Sequence, residues 1–350
     1  MNSTQVLFTS QFPKVSSLGE ETLLIYDKFL AKKSPAFRKW VKGFALTYPV
    51  QAGEGLKAVE NFPQHIKALV KLCENTSSRK LTLVVAGGGS VGDFGGFVAS
   101  VLKRGVGLVH VPSTWLAAID SAHGGKTALN VAGSKNQIGT FYPSQKTILV
   151  KPLLLSQPAE RNFEAFSEVI KIALLQGGDF WAKFRKESKV TGDILWKYLP
   201  QAIDGKLRIV KKDPEEKSGY RHLLNLGHTV GHVFESYYEL PHGIAVNYGI
   251  DFALRWSARK GLLSAKNEEE LRAAPVSAYL LSAERDHLLS AKDSVLKKWS
   301  QLLLQDKKKN SSRKIRFIFL KKPGTSHIEE VTVDEILMEI LRQKEDDLHA

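Results

Sequence analysis

Leu81-Thr-Leu-Val-Val85, then Ala86, then Gly87-Gly-Gly-Ser-Val-Gly-Asp-Phe-Gly-Gly96 is the stretch that decides the fold. Its first five residues are aliphatic or β-branched, the composition of a buried strand. The glycine run follows at once, and Gly92 to Lys103 suits a helix. Gly107-Leu-Val-His-Val111 is a second strand and Lys146-Thr-Ile-Leu-Val150 a third. Strand, helix, strand over this spacing is a βαβ unit, which needs a parallel sheet behind it. After about residue 158 the pattern changes. Glu164 to Leu175 has helical periodicity, and helix-like stretches dominate to about residue 305. Two strand-like pieces, Ile315–Leu320 and Glu330–Val333, come late. The expected fold is an α/β N-terminal domain with a parallel sheet (1–157) and a mostly α-helical C-terminal domain (158–350), with a ligand cleft between them.

Composition narrows the function. Of 350 residues, 43% are hydrophobic and 25% charged, which excludes wholesale disorder and a fibrous chain. Fifty Lys and Arg against 36 Asp and Glu give +14, a bias that suits an anionic ligand or nucleic acid. The single cysteine, Cys73, excludes an internal disulfide framework and a thiolate zinc site. Any metal must rest on histidines and carboxylates. No apolar run approaches about 18 residues, so no membrane span is expected. The opening MNSTQVLFTSQFPKV lacks the basic region and apolar core of a secretory signal, and a cytoplasmic protein is expected.

In the glycine run, Gly87, Gly89 and Gly92 satisfy G-x-G-x-x-G. Glycines there let backbone N–H groups approach a pyrophosphate, whose charge the helix N-terminus favours. The usual companion, an acidic residue ending the next strand, is absent, because that strand runs into Val111-Pro-Ser-Thr114. A phosphate-cradling loop of another α/β type fits better than a dinucleotide fold of the common kind. Gly88 to Gly92 also spell G-x-S-x-G, with Ser90 as a hydrolase nucleophile, but the Asp and His this requires are too loosely specified to carry weight.

Four of the ten histidines are His222, His228, His232 and His242. His228 and His232, at i and i+4, share one helix face. Either that pair or His228 with His242 supplies two imidazoles to one ion, and spacing leaves the choice open. A carboxylate would complete a two-His, one-carboxylate site with room for substrate. A candidate is Glu168, at i, i+3 from Lys171; the bland alternative for those two is a surface ion pair worth little. Asp120-Ser-Ala-His-Gly-Gly-Lys126 and Gly133-Ser-Lys-Asn136 read as polar loops offering a lysine to phosphate or carboxylate. The run Asp306 to Lys314 is basic but not interleaved with aromatics, so a solvated hairpin loop outweighs nucleic-acid binding.

Taken in order, these segments resemble the 3-dehydroquinate synthase family, within the sugar phosphate cyclases. The blocks are GGGSVGDFGGF (87–97), KRG (103–105), DSAHGGKTALN (120–130), SKNQIGTFYP (134–143), SEVIK (167–171), RHLLNLGHTVGH (221–232), PHGIAV (241–246) and DKK (306–308). The resemblance implies that NAD meets Asp27, the turn Gly53, Glu54 and Lys57, the loop Gly88, Gly89, Ser90, Val91, Gly92 and Asp93, then Ser113, Thr114 and Lys135. It implies Glu168, His228 and His242 as metal ligands, with zinc first and cobalt as the alternative. It assigns Asp120, Lys126, Asn136, Lys171, Lys206, Arg221, Asn225, His232 and a lysine of Lys307 and Lys308 to substrate. His232, Glu216, Lys171 and Asp120 become the catalytic set. The stretch Asp213 to Arg221 is one residue longer than the family's, which leaves the acidic position between Glu216 and Glu215. Ile244 stands where the family has a glutamate, Ser113 where it has a threonine, and a glycine usual after DKK is missing.

The implied activity is that of a carbon–oxygen lyase of the shikimate pathway, on the route to chorismate and the aromatic amino acids. The substrate would be 3-deoxy-D-arabino-heptulosonate 7-phosphate, an anionic sugar-acid phosphate that suits the +14 charge. The reaction runs by transient oxidation with NAD, β-elimination of phosphate, reduction, and intramolecular aldol closure to 3-dehydroquinate. The resemblance also implies a homodimer in which Arg104 reaches the neighbouring site, with no nucleic-acid or membrane partner. The rivals are another sugar phosphate cyclase and a metal-dependent polyol or alcohol dehydrogenase of the same fold group. Lys126, Lys135, Asn136, Glu168, Lys171 and Asn225 together speak against the dehydrogenase.

Overall fold

The computed structural model describes residues 4–278, 293–305 and 314–348. The basic run up to residue 313, with the DKK lysines Lys307 and Lys308, lies outside the described residues. The chain divides into two compact units, Met1–Arg161 and Asn162–Ala350.

The first unit begins with β1 (Gln5–Thr9), β2 (Glu21–Asp27), α1 (Lys28–Lys33), α2 (Pro35–Val41), β3 (Leu46–Val50) and α3 (Phe62–Leu72). It continues with β4 (Leu81–Gly87), α4 (Gly89–Val101), β5 (Gly107–Pro112), β6 (Lys126–Val131), β7 (Ser134–Phe141), β8 (Lys146–Val150) and α5 (Lys151–Leu155). Six strands form one parallel sheet in the order β1-β8-β5-β4-β2-β3.

The alternation of side chains across each strand explains the layering. Leu23 and Ile25 of β2, with Leu83 and Val85 of β4, pack under Leu69 of α3 and Phe94 and Val98 of α4. Their neighbours Leu24, Val84 and Ala86 point to the other face, under Leu30, Phe37 and Trp40 of α1 and α2. Both faces of the central strand are therefore covered. All seven residues of β4 are buried, which is why it reads as a continuous apolar run. From β2 the chain crosses to β3 on one side, and from β4 to β5 on the other. Between those two strands the C-terminal edge of the sheet opens, and ligands of doubly wound sheets bind at such an edge.

Three readings change. The helix after β4 starts at Gly89, three residues before the expected Gly92, so half of the glycine loop is its first turn. It ends at Val101 and a short 3-10 turn, Leu102–Arg104, follows. The segments read as polar loops contain an antiparallel hairpin, β6 with β7, turning at Ala132 and Gly133. Both turn residues have positive φ, 48° and 77°, the geometry of a tight hairpin turn.

The second unit holds all but the first two residues of α6 (Glu160–Gln176), then α7 (Gly178–Phe184), α8 (Gly192–Lys212), α9 (His228–Tyr238), α10 (His242–Arg259), α11 (Ala265–Arg272) and α12 (Asp293–Gln305). An antiparallel pair, β9 (Lys314–Lys322) and β10 (Thr325–Thr332), precedes α13 (Val333–Leu348). The last expected strand thus ends at Thr332, and Val333 opens a helix. Aromatic rings build much of this core: Trp256 stands 4.8 Å from Phe317 and 5.1 Å from Phe319, centroid to centroid. Among the described residues no helix is long and apolar enough to cross a membrane.

Candidate functional site

Parallel register puts the ends of β2, β4 and β5 side by side in the first unit, with Tyr26 opposite Ala86 and Gly87 opposite Pro112. Asp27 ends β2 and caps α1, its Oδ1 accepting from Phe29 N at 3.0 Å. Ser113 N donates to Gly87 O at 2.9 Å, and Thr114 Oγ1 accepts from Ala117 N at 3.2 Å. Gly88 is the N-cap of α4 and offers no side chain to its first-turn N–H groups. Those donors need an outside acceptor. A Cβ at Gly88 would stand 3.1 Å from Thr114 Cγ2, and one at Gly89 3.4 Å from Ser121 Oγ. Side chains at these positions would fill the cradle that a pyrophosphate would occupy, so the residues present fit a dinucleotide.

A polar network ties this loop to the turn after β3. Lys57, 4% exposed, places its Nζ 2.6 Å from Asp93 Oδ2 and 2.6 Å from Asn136 Oδ1. Asn136 N donates to Asn130 Oδ1 at 2.9 Å, and Asn130 Nδ2 donates to Glu54 Oε2 at 2.7 Å. Gly53 N donates to Ser90 Oγ at 3.0 Å, so that hydroxyl is an acceptor in a structural contact. Burial raises the Asp93 carboxyl above its ordinary value, against the pull of Lys57. The structure thus gathers Gly53, Glu54, Lys57, Ser90, Asp93 and Asn136. Asn136, expected beside substrate, belongs to this set. Asp120 lies half-buried in a one-turn π-helix, Ala117–Ser121, while Lys126, Lys135 and Arg104 are exposed.

The second unit brings the expected metal ligands together. Glu168 and Lys171 lie on α6, where nearly every side chain from Ala165 to Leu175 is apolar, and all are buried. Each of the two is 1% exposed, and they form an ion pair. The surface-pair reading is therefore overturned: helix burial on all sides leaves the carboxylate and ammonium no water. Gly243 lets the start of α10 touch α6, since a Cβ there would lie 2.3 Å from Glu164 Cα. Ser167 Oγ donates to Gly243 O at 2.8 Å and fixes the contact. His242, the first residue of α10, thereby comes to 3.7 Å from Glu168 Oε1 through Nε2, and His228 Nε2 comes to 3.5 Å. Ligand atoms of Glu168, His228 and His242 all lie within 4.8 Å of one another.

The protonation pattern tests whether a cation fits. His228 Nδ1 is 3.2 Å from Leu226 O, and His242 Nδ1 is 3.0 Å from Glu235 Oε2. Neither a carbonyl nor a carboxylate can donate, so both Nδ1 atoms carry the proton and both Nε2 atoms face Glu168. Burial and Lys171 keep His228 neutral, its pKa lowered to about 3. Burial lowers His242 as well, but the hydrogen bonds and charges of Glu168 and Glu235 win and push it up to about 10. Burial alone would raise Glu168; the Lys171 ammonium and the imidazoles outweigh it and hold the carboxyl well below the usual range. Its Oε1 accepts no hydrogen bond although it is buried. An orphaned carboxylate oxygen facing an imidazole lone pair is satisfied by a cation.

Around this trio, His232 has its ring 5.1 Å from that of His228. Asp213 gathers the following loop: Oδ1 accepts from Lys217 N at 2.8 Å and Ser218 N at 3.1 Å, Oδ2 from Arg221 N at 3.1 Å. Despite its burial, these donors lower its pKa to about 2. Arg221, 4% exposed, also donates from Nη1 to Pro214 O at 2.8 Å. Glu216 Oε1 lies 3.5 Å from His222 Nδ1, and His222 meets Asn225 Nδ2 at 3.2 Å, whereas Glu215 pairs with exposed Lys217. Of the two, Glu216 is the one that meets His222. Lys206 is buried in α8. Sequence reasoning missed Glu235. Its signal was present, because His228, His232 and Glu235 recur at i, i+4 and i+7 along α9.

The family model for the N-terminal part of 3-dehydroquinate synthase matches residues 47–165, and that for the C-terminal part matches residues 165–309. A 3-dehydroquinate synthase of Legionella pneumophila (strain Philadelphia 1) is 35% identical over 274 residues, 76% of this chain and 72% of that one. One of Leptospira interrogans is 33% identical over 330 residues, 91% of this chain and 86% of its own. Among solved structures, a 2-epi-5-epi-valiolone synthase of Streptomyces hygroscopicus with NAD+ and Zn2+ bound superposes with a TM-score of 0.81 at 20% identity, covering 99% and 98% of the two chains. That likeness concerns the fold.

Proposed function

Because this chain belongs to the 3-dehydroquinate synthase family, we propose that it converts 3-deoxy-D-arabino-heptulosonate 7-phosphate to 3-dehydroquinate and phosphate. The observation that carries the proposal is the buried Glu168, held between Lys171 and two imidazoles whose Nε2 atoms converge on it. NAD would lie on Gly88 and Gly89 beside Lys57 and Asp93, and a divalent metal on Glu168, His228 and His242. When bound, NAD would take a hydride from one secondary alcohol and return it, while the metal would polarise that alcohol's oxygen.

The chain's own residues do the rest. Lys171 and Lys206, both buried, are the lysines for the substrate, and Lys171 also pairs with Glu168. Arg221 is fixed by Asp213 and Pro214, and its guanidinium is the group for the substrate carboxylate. His232 and Asn225, with Lys126, are the residues for the phosphate. The leaving phosphate itself would take the neighbouring C–H proton, so the protein supplies conformation more than basicity. Zinc as the metal, a cytoplasmic homodimer and Arg104 reaching the partner's site complete this reading.

Sedoheptulose 7-phosphate lacks the carboxylate and gives the deciding test. Phosphate release should be fast with the heptulosonate and poor with sedoheptulose 7-phosphate. The reverse preference would assign the chain to another cyclisation.

A further inference from the structure

We infer that Glu235 is a positioning residue for the metal site: it holds the His242 ring so that Nε2, and not Nδ1, faces Glu168. The inference rests on the metal reading above. His228 has its ring set by a main-chain carbonyl, Leu226 O at 3.2 Å. His242 has no such partner. It opens α10 directly after Pro241, so no earlier turn of that helix restrains its ring. What fixes it is Glu235 Oε2 at 3.0 Å from Nδ1. An ionised carboxylate accepts only, so this contact keeps a proton on Nδ1, and the proton that a bound ion displaces is the one on Nε2.

The lost family glutamate does not serve this purpose. Ile244 lies two residues beyond His242 in the same helix, and positions i and i+2 do not share a face. A carboxylate reaching Nδ1 has to come from another element, and α9 supplies it. Glu235 follows His228 and His232 on one stripe of that helix, so a single rigid element delivers one ligand and the orienting group of the other. His232, Glu235 and His242 also bring ligand atoms within 4.8 Å of one another. A cation there would make Glu235 a ligand instead of a hydrogen-bond acceptor, and the two roles differ in stoichiometry.

The experiment titrates the metal-free full-length protein with Zn2+ against a chromophoric chelator, and repeats it with Co2+ read by its visible absorption. Glu235→Ala should weaken binding about 10- to 100-fold, the usual effect of removing such a partner. Glu235→Gln, whose amide oxygen still accepts from Nδ1, should lose clearly less. Each protein should bind one ion per chain, and the metal-free melting midpoint should stay within error of wild type. Wild-type affinity in Glu235→Ala overturns the inference. Two ions per wild-type chain falling to one in Glu235→Ala also overturns it, since Glu235 would then be a ligand. Failure of the metal reading looks different: wild type would bind no tighter than His228→Ala, and the inference would fall with it.

Discussion

Replacing Gly243 by alanine tests how the fold assembles the metal ligands without touching a ligand. The new Cβ would stand 2.3 Å from Glu164 Cα, 2.9 Å from Glu164 N and 2.9 Å from Phe163 O. All three are backbone atoms of α6 or its immediate start, so no side-chain rotamer relieves the contact. Restoring van der Waals contact requires the two helices to part by about 1 Å. Overpacking of this kind typically costs about 1–3 kcal/mol. Metal sites tolerate distance errors of only about 0.2 Å, so His242, the adjacent residue, would be carried out of range of Glu168. We expect the metal-free variant to lose about 2 kcal/mol in urea unfolding, and its metal affinity to fall at least about tenfold. Gly55→Ala is the control, because nothing lies within 4 Å of a Cβ there. If Gly243→Ala unfolded and bound metal as wild type does, the close approach of α10 to α6 would not be what builds the site.

Three further outcomes follow from other parts of the chain. Gly89→Val should abolish NAD binding, measured by calorimetry, while leaving metal binding intact, because its branches would occupy the space near Ser121. Arg221→Ala should lower kcat/KM for the carboxylated substrate by about 2–5 kcal/mol, a loss of 30-fold or more, and narrow the preference over sedoheptulose 7-phosphate. Asp213 has a depressed carboxyl, so its stabilisation is complete above its unfolded value near 4 and is lost as pH falls toward about 2. Asp213→Asn should therefore melt below wild type at about pH 6, with the gap closing as both are acidified. A gap that stayed constant with pH would mean that the charge of Asp213 does not matter.

How much was legible depended on burial. β4, β5 and β8 are covered on both faces, so their apolar runs were plain. The β6–β7 hairpin was hidden because all eight residues of β7 are exposed and its turn is Ala132-Gly133, without the Asn or Asp that usually marks such turns. The i, i+3 spacing of Glu168 and Lys171 looks the same on a surface and in a core. What separates the cases is the apolar sequence around them, Val169, Ile170, Ile172 and Ala173. That His242, and not His232, joins Glu168 and His228 in one cluster is a tertiary fact. It depends on Gly243 meeting α6, which no local spacing encodes. The resemblance to a family supplied that pairing, and the structure brings the three side chains together.

The central claim is that one chain uses NAD catalytically, together with a metal held by Glu168, His228 and His242, to expel phosphate. The most direct measurement follows phosphate release and absorbance at the NADH wavelength together, with the heptulosonate phosphate in excess over substoichiometric NAD. Phosphate should exceed NAD many-fold with no lasting NADH signal, and a chelator should stop it until Zn2+ or Co2+ is restored. NADH accumulating in step with turnover, or full phosphate release from exhaustively metal-free protein, would contradict the account.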